Sequence, residues 1–464
     1  MNLFKQEDTI VALATGQGKS ALATIRISGK SAMNIVSSVF FDGKHNPVDI
    51  KNKTVHHGFI YSDSKKLDEV ILVYMKAPHT YTGEDTIEIS THGNMLIVQS
   101  VIELLLAKQD VRLADKGEFT YRAFINNKMD LSEAEAVCDL INSGSSKAVE
   151  LALNSLQGSF SSKIKEVKED LTLLFAYLEV SLDYPEEDID FLSREQKKER
   201  MQKIIDKVEG IISSYSLSKT AAYGVKIAVA GKPNAGKSSI LNCILGYQRS
   251  IVTDIAGTTT DTIEEKIEYK NIPFTIIDTA GIRRHSSNTI EKIGQERTKE
   301  SINAADIVLW VIDSNTILDS DDLRICELLK NKQDKIILVL NKSDLEQKTS
   351  LDDILKIYPV KEFASFSSVK EINIENVLEK IFSVLDLEQA AEKSEFLLNA
   401  RQYDLICKVK TALKTVSDLI DKGDSDEIVS FEAQNALLLL NEILGYDVNQ
   451  DILRTVFSKF CVGK

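Results

Sequence analysis

The sequence predicts a multidomain protein of mixed α+β and α/β class: an N-terminal α+β domain, a helical domain, and an inserted domain with a doubly wound, mostly parallel sheet. Three observations carry this. Up to about residue 114 short β-rich runs alternate with helical ones, two later stretches carry helical periodicity alone, and between those stretches apolar β-branched runs alternate with helices. At 464 residues the chain is too long for one ordinary core, and its length suggests roughly three domains.

In chain order, TIVALA, ATIRIS, VILVYM and DTIEIS read as strands and MLIVQSVIELLLAK as a helix. From Ser132 to Tyr215, EAEAVCDLI, KAVELALNSL and KEDLTLLFAYLEVSL place apolar residues every three or four positions, until YPEEDIDF interrupts them with a proline and acids. VKIAVAG, TIIDTAG, IVLWVID and IILVLNK then read as strands of a buried parallel sheet. Helical periodicity returns in YDLICKVKTALKTVSDLI and EAQNALLLLNEILG. The boundaries expected are 1–118, 119–220, 221–385 and 386–464, with the two helical stretches packing together around an insertion.

Composition narrows the function. A hydrophobic fraction of 43% and a charged fraction of 27% fit a globular chain, and no run of eighteen apolar residues or secretory signal is present, so no membrane role is expected. Cys138, Cys243, Cys326, Cys407 and Cys461 are scattered without any CxxC pair, which fits reduced thiols in a cytoplasmic protein. A net charge of −14 argues against a uniformly basic nucleic-acid binder, so any RNA contact is local.

The chemistry concentrates between Gly231 and Val369. Gly231-Lys232-Pro233-Asn234-Ala235-Gly236-Lys237-Ser238, followed by Ser239, matches GxxxxGK[ST] between a strand and a helix. Its backbone N–H groups would cradle phosphates, Lys237 would reach the β/γ oxygens and the Ser238 hydroxyl would ligate Mg2+. Asp278-Thr279-Ala280-Gly281 ends the next strand: Asp278 would hold Mg2+ through water, and Gly281 would reach the γ-phosphate. In Asn341-Lys342-Ser343-Asp344 the Asp344 carboxylate can accept from guanine N1–H and the 2-amino group, a donor pair adenine lacks. The expected nucleotide is GTP and the expected domain a P-loop GTPase. Thr15-Gly16-Gln17-Gly18-Lys19-Ser20 also ends in GKS, but Leu13 stands where the first glycine is required, so it reads as a loop.

Ile282 follows DTAG where small switch GTPases carry a water-orienting glutamine, so catalysis is expected from elsewhere. Asn234, with Thr253-Asp254-Ile255-Ala256-Gly257-Thr258-Thr259, offers oxygens that could hold a monovalent cation beside the phosphates; on chemistry alone Asn234 serves equally well as a turn residue.

Several phrases in order, DTIVALAT with IRISG, YTGEDTIEISTHG, GEFTYRAFINNKMDLSEAEAVCDLI, SLQGSFS, GKPNAGKSSILN, SIVTDIAGTT, DTAGI and the terminal FCVGK, make the chain resemble the tRNA modification GTPase MnmE (TrmE) family over essentially its whole length. The resemblance implies an N-terminal domain that binds a 5-formyl- or methylene-tetrahydrofolate and forms a homodimer, then a discontinuous helical domain carrying the GTPase. It implies a heterotetramer with the FAD protein MnmG (GidA) that adds a carboxymethylaminomethyl-type group to C5 of the wobble uridine of certain tRNAs. By motif match Arg26, Glu88, Lys128 and Lys464 take the folate positions; Asn234, Thr253, Ile255 and Thr258 take K+; Ser238 and Thr259 take Mg2+. Glu291 matches the glutamate that positions the attacking water, and Cys461 a thiol implicated in modification.

The chain departs from the family pattern where Thr260 replaces an arginine and where the base-contacting loop is Ser367-Ser368-Val369 instead of Ser-Ala-Lys. The rival function is a ribosome-assembly GTPase that switches on rRNA without chemistry; it would share the nucleotide motifs but not the N-terminal phrases or FCVGK.

Overall fold

A computed structural model of the protein describes residues 8–183, 192–247, 264–278, 299–367, 369, 373–385, 387 and 394–464. The chain opens with β1 (Thr9–Leu13), β2 (Leu22–Ser28), α1 (Ala32–Ser37), β3 (Phe40–Phe41), β4 (Val55–Ser62), β5 (Lys65–Met75), β6 (Thr86–His92), α2 (Met95–Leu106) and β7 (Val111–Leu113). Helices follow: α3 (Glu118–Ile125), α4 (Leu131–Asn142), α5 (Ser146–Leu156), α6 (Ser159–Asp183) and α7 (Arg194–Tyr223). Next come β8 (Val225–Ala230), α8 (Lys237–Tyr247), β9 (Glu264–Tyr269), β10 (Ile272–Asp278), β11 (Ile307–Asp313), α9 (Ser320–Leu329), β12 (Ile336–Asn341), α10 (Leu351–Ile357), β13 (Glu362–Ser365) and α11 (Ile374–Val384). The chain closes with α12 (Ala400–Lys422), α13 (Asp426–Leu444) and α14 (Gln450–Phe457).

Two compact units result: residues 1–141, 155–208 and 404–464 form one, and 142–154 with 209–403 form the other. In the first, a seven-stranded sheet runs β3-β4-β5-β6-β2-β1-β7, antiparallel except where β7 lies parallel to β1. Alternation buries one set of side chains, among them Val11, Ile25, Ile27, Leu72, Ile87 and Ile89, against Val98, Val101 and Leu105 of α2. A separate core joins Tyr121, Leu131, Ala134 and Val137 to Leu453, Val456, Phe457 and Phe460, so the last helix and tail dock on α3 and α4.

The second unit holds a six-stranded sheet, β13-β12-β11-β8-β10-β9, parallel except for β9. All seven residues of β11 and all six of β12 are buried, as strands covered on both faces require. The period of two divides them: Ile227, Val229, Leu309, Val311, Ile337 and Val339 enter one core, and Ala228, Ala230, Val308, Trp310, Leu338 and Leu340 the other. Helices therefore cover both faces, the doubly wound arrangement expected from the sequence. The GKS at 18–20 lies in the loop between β1 and β2. Among the described residues no helix is long and apolar enough to cross a membrane.

Candidate functional site

Strands β8, β10, β11 and β12 run parallel, so their carboxyl ends deliver Gly231, Asp278, Asp313 and Asn341 to one edge of the sheet. The loop after β8 turns through Asn234 at φ 64° and Gly236 at φ 98° before α8 begins at Lys237. Lys237 Nζ donates to the carbonyls of Gly231 (2.6 Å) and Lys232 (2.9 Å), folding its amine back over its own loop. Ser238 and Asn234 are exposed. Their oxygens are of the hard, neutral kind suited to Mg2+ and K+. Ser239 N–H caps back to the Gly236 carbonyl at 3.1 Å.

The loop at Asn341–Asp344 is bonded to the loop at Gly231–Ser238. Asn341 Nδ2 donates to the Ala235 carbonyl (2.8 Å), and the Asn341 carbonyl accepts from both Ser314 N–H and Ser314 Oγ. Lys342, at φ 60°, reaches Asp313 Oδ2 at 2.5 Å, and Asp313 is buried at the end of β11. Asp344 Oδ1 accepts from the buried Ser367 Oγ at 2.6 Å, while Val369 is exposed. Thus Asn341, Lys342, Asp344, Ala235 and Ser367 are brought together. Thr253, Asp254, Ile255, Ala256, Gly257, Thr258, Thr259, Thr279, Ala280, Gly281, Glu291 and Ser368 lie outside the described residues.

A second cluster sits in the other unit. Arg26 on β2 is the cross-strand partner of Glu88 on β6, and Arg26 Nε and Nη2 reach Glu88 Oε1 at 2.9 and 2.8 Å. The Arg26 guanidinium also lies over the rings of Tyr81 (5.6 Å) and Phe119 (5.8 Å), and Nη1 donates to the Gly463 carbonyl at 3.4 Å. The rings are fixed in turn. Tyr81 Oη shares a hydrogen bond with Thr120 Oγ1, and Phe119 rides on α3, whose buried Glu118 pairs with Arg112 and Arg122.

The terminal tail completes this cluster. Gly117 N–H donates to the Cys461 carbonyl, Lys116 pairs with Val462 as a β-bridge, and Gly463 takes φ 98° where a Cβ would stand 2.2 Å from the Leu13 carbonyl oxygen. Burial, then the Arg26 charge, holds the Lys464 amine below its ordinary value, while Glu88 acts the other way. Arg26, Glu88 and Lys464 therefore converge. Cys461 is exposed beside them along the tail, whereas Lys128 donates to the Pro78 carbonyl at 3.0 Å.

With this geometry in view, a family model described as the MnmE helical domain matches residues 131–461, and one described as the GTP-binding protein TrmE N-terminus matches residues 9–128. The chain is 46% identical to a tRNA modification GTPase MnmE of Endomicrobium trichonymphae, over 100% of both chains. The chain belongs to the MnmE family. A second MnmE, of Clostridioides difficile, is 39% identical over 99% of each chain. A solved structure, the G domain of the T. maritima FeoB iron transporter, is 29% identical over 34% of this chain and 98% of that one, with a TM-score of 0.27, too low to bear on the fold.

Three further residues frame these clusters that no motif in the sequence singles out. Asp313 supports Lys342, and Tyr81 and Phe119 flank Arg26. For Asp313 a signal existed: a carboxylate at the end of a β-branched run, level with Asn341 in the neighbouring strand.

Proposed function

We propose that the chain binds and hydrolyses GTP and couples the cycle to modification of the wobble uridine of tRNA. The carrying observation is the bonded link between Asn341 and Ala235, with Asp344 held by Ser367: a guanine-selective carboxylate and a phosphate loop share one rigid frame. Asp344 would accept from guanine N1–H and the 2-amino group, and Lys237 would leave the carbonyls of Gly231 and Lys232 for the β/γ-phosphate oxygens. Ser238, with Thr259 and with Asp278 acting through water, would hold Mg2+, which neutralises charge on the phosphates. Glu291 would orient the attacking water.

Asp344→Asn is expected to shift preference from GTP toward xanthosine triphosphate, because an amide donates to the 2-oxo group of xanthine where a carboxylate cannot. Competition between the two nucleotides measures it. Unchanged GTP preference would refute the assignment of Asp344.

Potassium is the proposed activator, held by Asn234 with Thr253, Ile255 and Thr258. The left-handed turn at Asn234 and the isoleucine at 282 support this reading. GTP hydrolysis should run faster in KCl than in NaCl at equal ionic strength, since the smaller Na+ fits such an oxygen set less well. Equal rates would count against it, and Asn234→Ala should erase any difference.

The Arg26, Glu88 and Lys464 cluster, with Lys128, is the proposed tetrahydrofolate site. Cationic side chains suit the folate's carboxylates, and Glu88 can accept from the pterin's N–H groups. We further infer, from the family, a homodimer that works with MnmG on tRNA, with Cys461 at the modification step.

A further inference from the structure

We propose that Lys232, the second residue of the phosphate loop, is a positioning residue that fixes this loop for nucleotide binding by tethering it to the N-terminus of α9 through Asp322 and Asp319. The inference rests on the nucleotide reading of Gly231–Ser238. Lys232 Nζ reaches Asp322 Oδ2 at 2.8 Å and Asp319 Oδ2 at 2.9 Å, with the Lys232 side chain 10% and the Asp322 side chain 2% exposed. Burial works against the ammonium, but the two carboxylates outweigh it and hold the amine above its ordinary value.

The same two carboxylates start α9. The Asp319 side chain accepts from Asp321 and Asp322 N–H, and the Asp322 side chain accepts from Asp319 N–H, closing a capping box. Cys326 and Leu329 anchor that helix in the core on one face of the sheet. Lys232 is thus pinned at its side chain to a rigid element, while its carbonyl accepts from Lys237, the residue that must reach the phosphates. Farther along, Asn341 holds Ala235.

A buried ion pair is weak evidence for stability, because well-packed apolar residues often replace it without loss; what it supplies is a fixed geometry. The tether therefore predicts a defect in nucleotide binding separable from folding. Lys232→Met alone would strand Asp322 as an unpaired buried charge, so the informative variant is the double exchange Lys232→Met with Asp322→Asn in the full chain.

Affinity for GDP is read by titration with a fluorescent GDP, and GTP hydrolysis by its KM and kcat. The double variant is expected to raise the GDP Kd and the GTP KM by about tenfold or more, with kcat within about twofold, as a loss of preorganisation requires. Lys232→Arg, which keeps charge and reach, should restore most of the affinity. A purely structural role would instead lower the amount of active enzyme, so that kcat falls while KM and Kd stay within about twofold; that result overturns the proposal. Should the double variant not fold, Asp319→Asn decides: it keeps a capping side chain and removes the half-exposed charge, and its GDP Kd is expected to rise by about threefold. An unchanged Kd there overturns the tether. Failure of the unsubstituted protein to bind GDP would refute the nucleotide reading instead.

Discussion

Gly236→Ala is expected to lower GDP affinity by about a hundredfold or more, roughly 2.7 kcal/mol, while leaving the unit's cores intact. Gly236 has φ 98°, where an L side chain costs about 1–3 kcal/mol. Its added Cβ would also stand 1.8 Å from Asn341 Nδ2. That amide cannot retreat cheaply, since its Nδ2 donates to the Ala235 carbonyl, its Oδ1 accepts from Lys342 N–H at 2.8 Å, and the Asn341 main-chain carbonyl is held by Ser314. The methyl group therefore separates the phosphate loop from the base-reading loop. Isothermal titration with GDP measures the effect, and affinity within about threefold of the unsubstituted protein would mean that the two loops do not act as one frame.

Cys461→Ser is expected to leave GTP hydrolysis within about twofold and to remove nearly all wobble-uridine modification. The thiol is exposed, and the tail is held instead by main-chain bonds at Gly117 and Lys116 and by the Arg26 guanidinium. A hydroxyl keeps the size and loses the sulfur, so a folded, hydrolysing variant without modification points to sulfur chemistry. Chromatography and mass analysis of tRNA nucleosides from a complemented strain provide the readout. Full modification with Cys461→Ala would sink the catalytic reading of this residue.

Local signals carried most of what was legible. The phosphate loop and Asn341–Asp344 announce themselves within eight residues or fewer, because backbone cradling and base reading each need a short fixed spacing at a strand end. The strands of the parallel sheet were readable because two-sided burial demands continuous apolar runs, as in β11 and β12. Pairings set by the fold were not readable. Lys232 meets carboxylates 87 and 90 positions away, and Arg26 meets the Gly463 carbonyl 437 positions away. Nothing local marks either contact, and Asp319 and Asp322 alone read as an ordinary helix start. The order of the seven-stranded sheet is similar: β1 lies between β2 and β7, with α2 packed across the same face, and no short motif encodes that pairing. Arg26, Glu88 and Lys464 came from family resemblance, and the register of β2 on β6 with the docked tail gives their convergence a physical cause.

Mass analysis of wobble uridines from cells lacking this protein, and from the same cells with it restored, measures the proposed role in tRNA modification. The C5-substituted uridine is expected to disappear on removal, to leave uridine unsubstituted at C5 in its place, and to return with the intact chain but not with Gly236→Ala. Unchanged modified uridine in cells without the protein would refute that role.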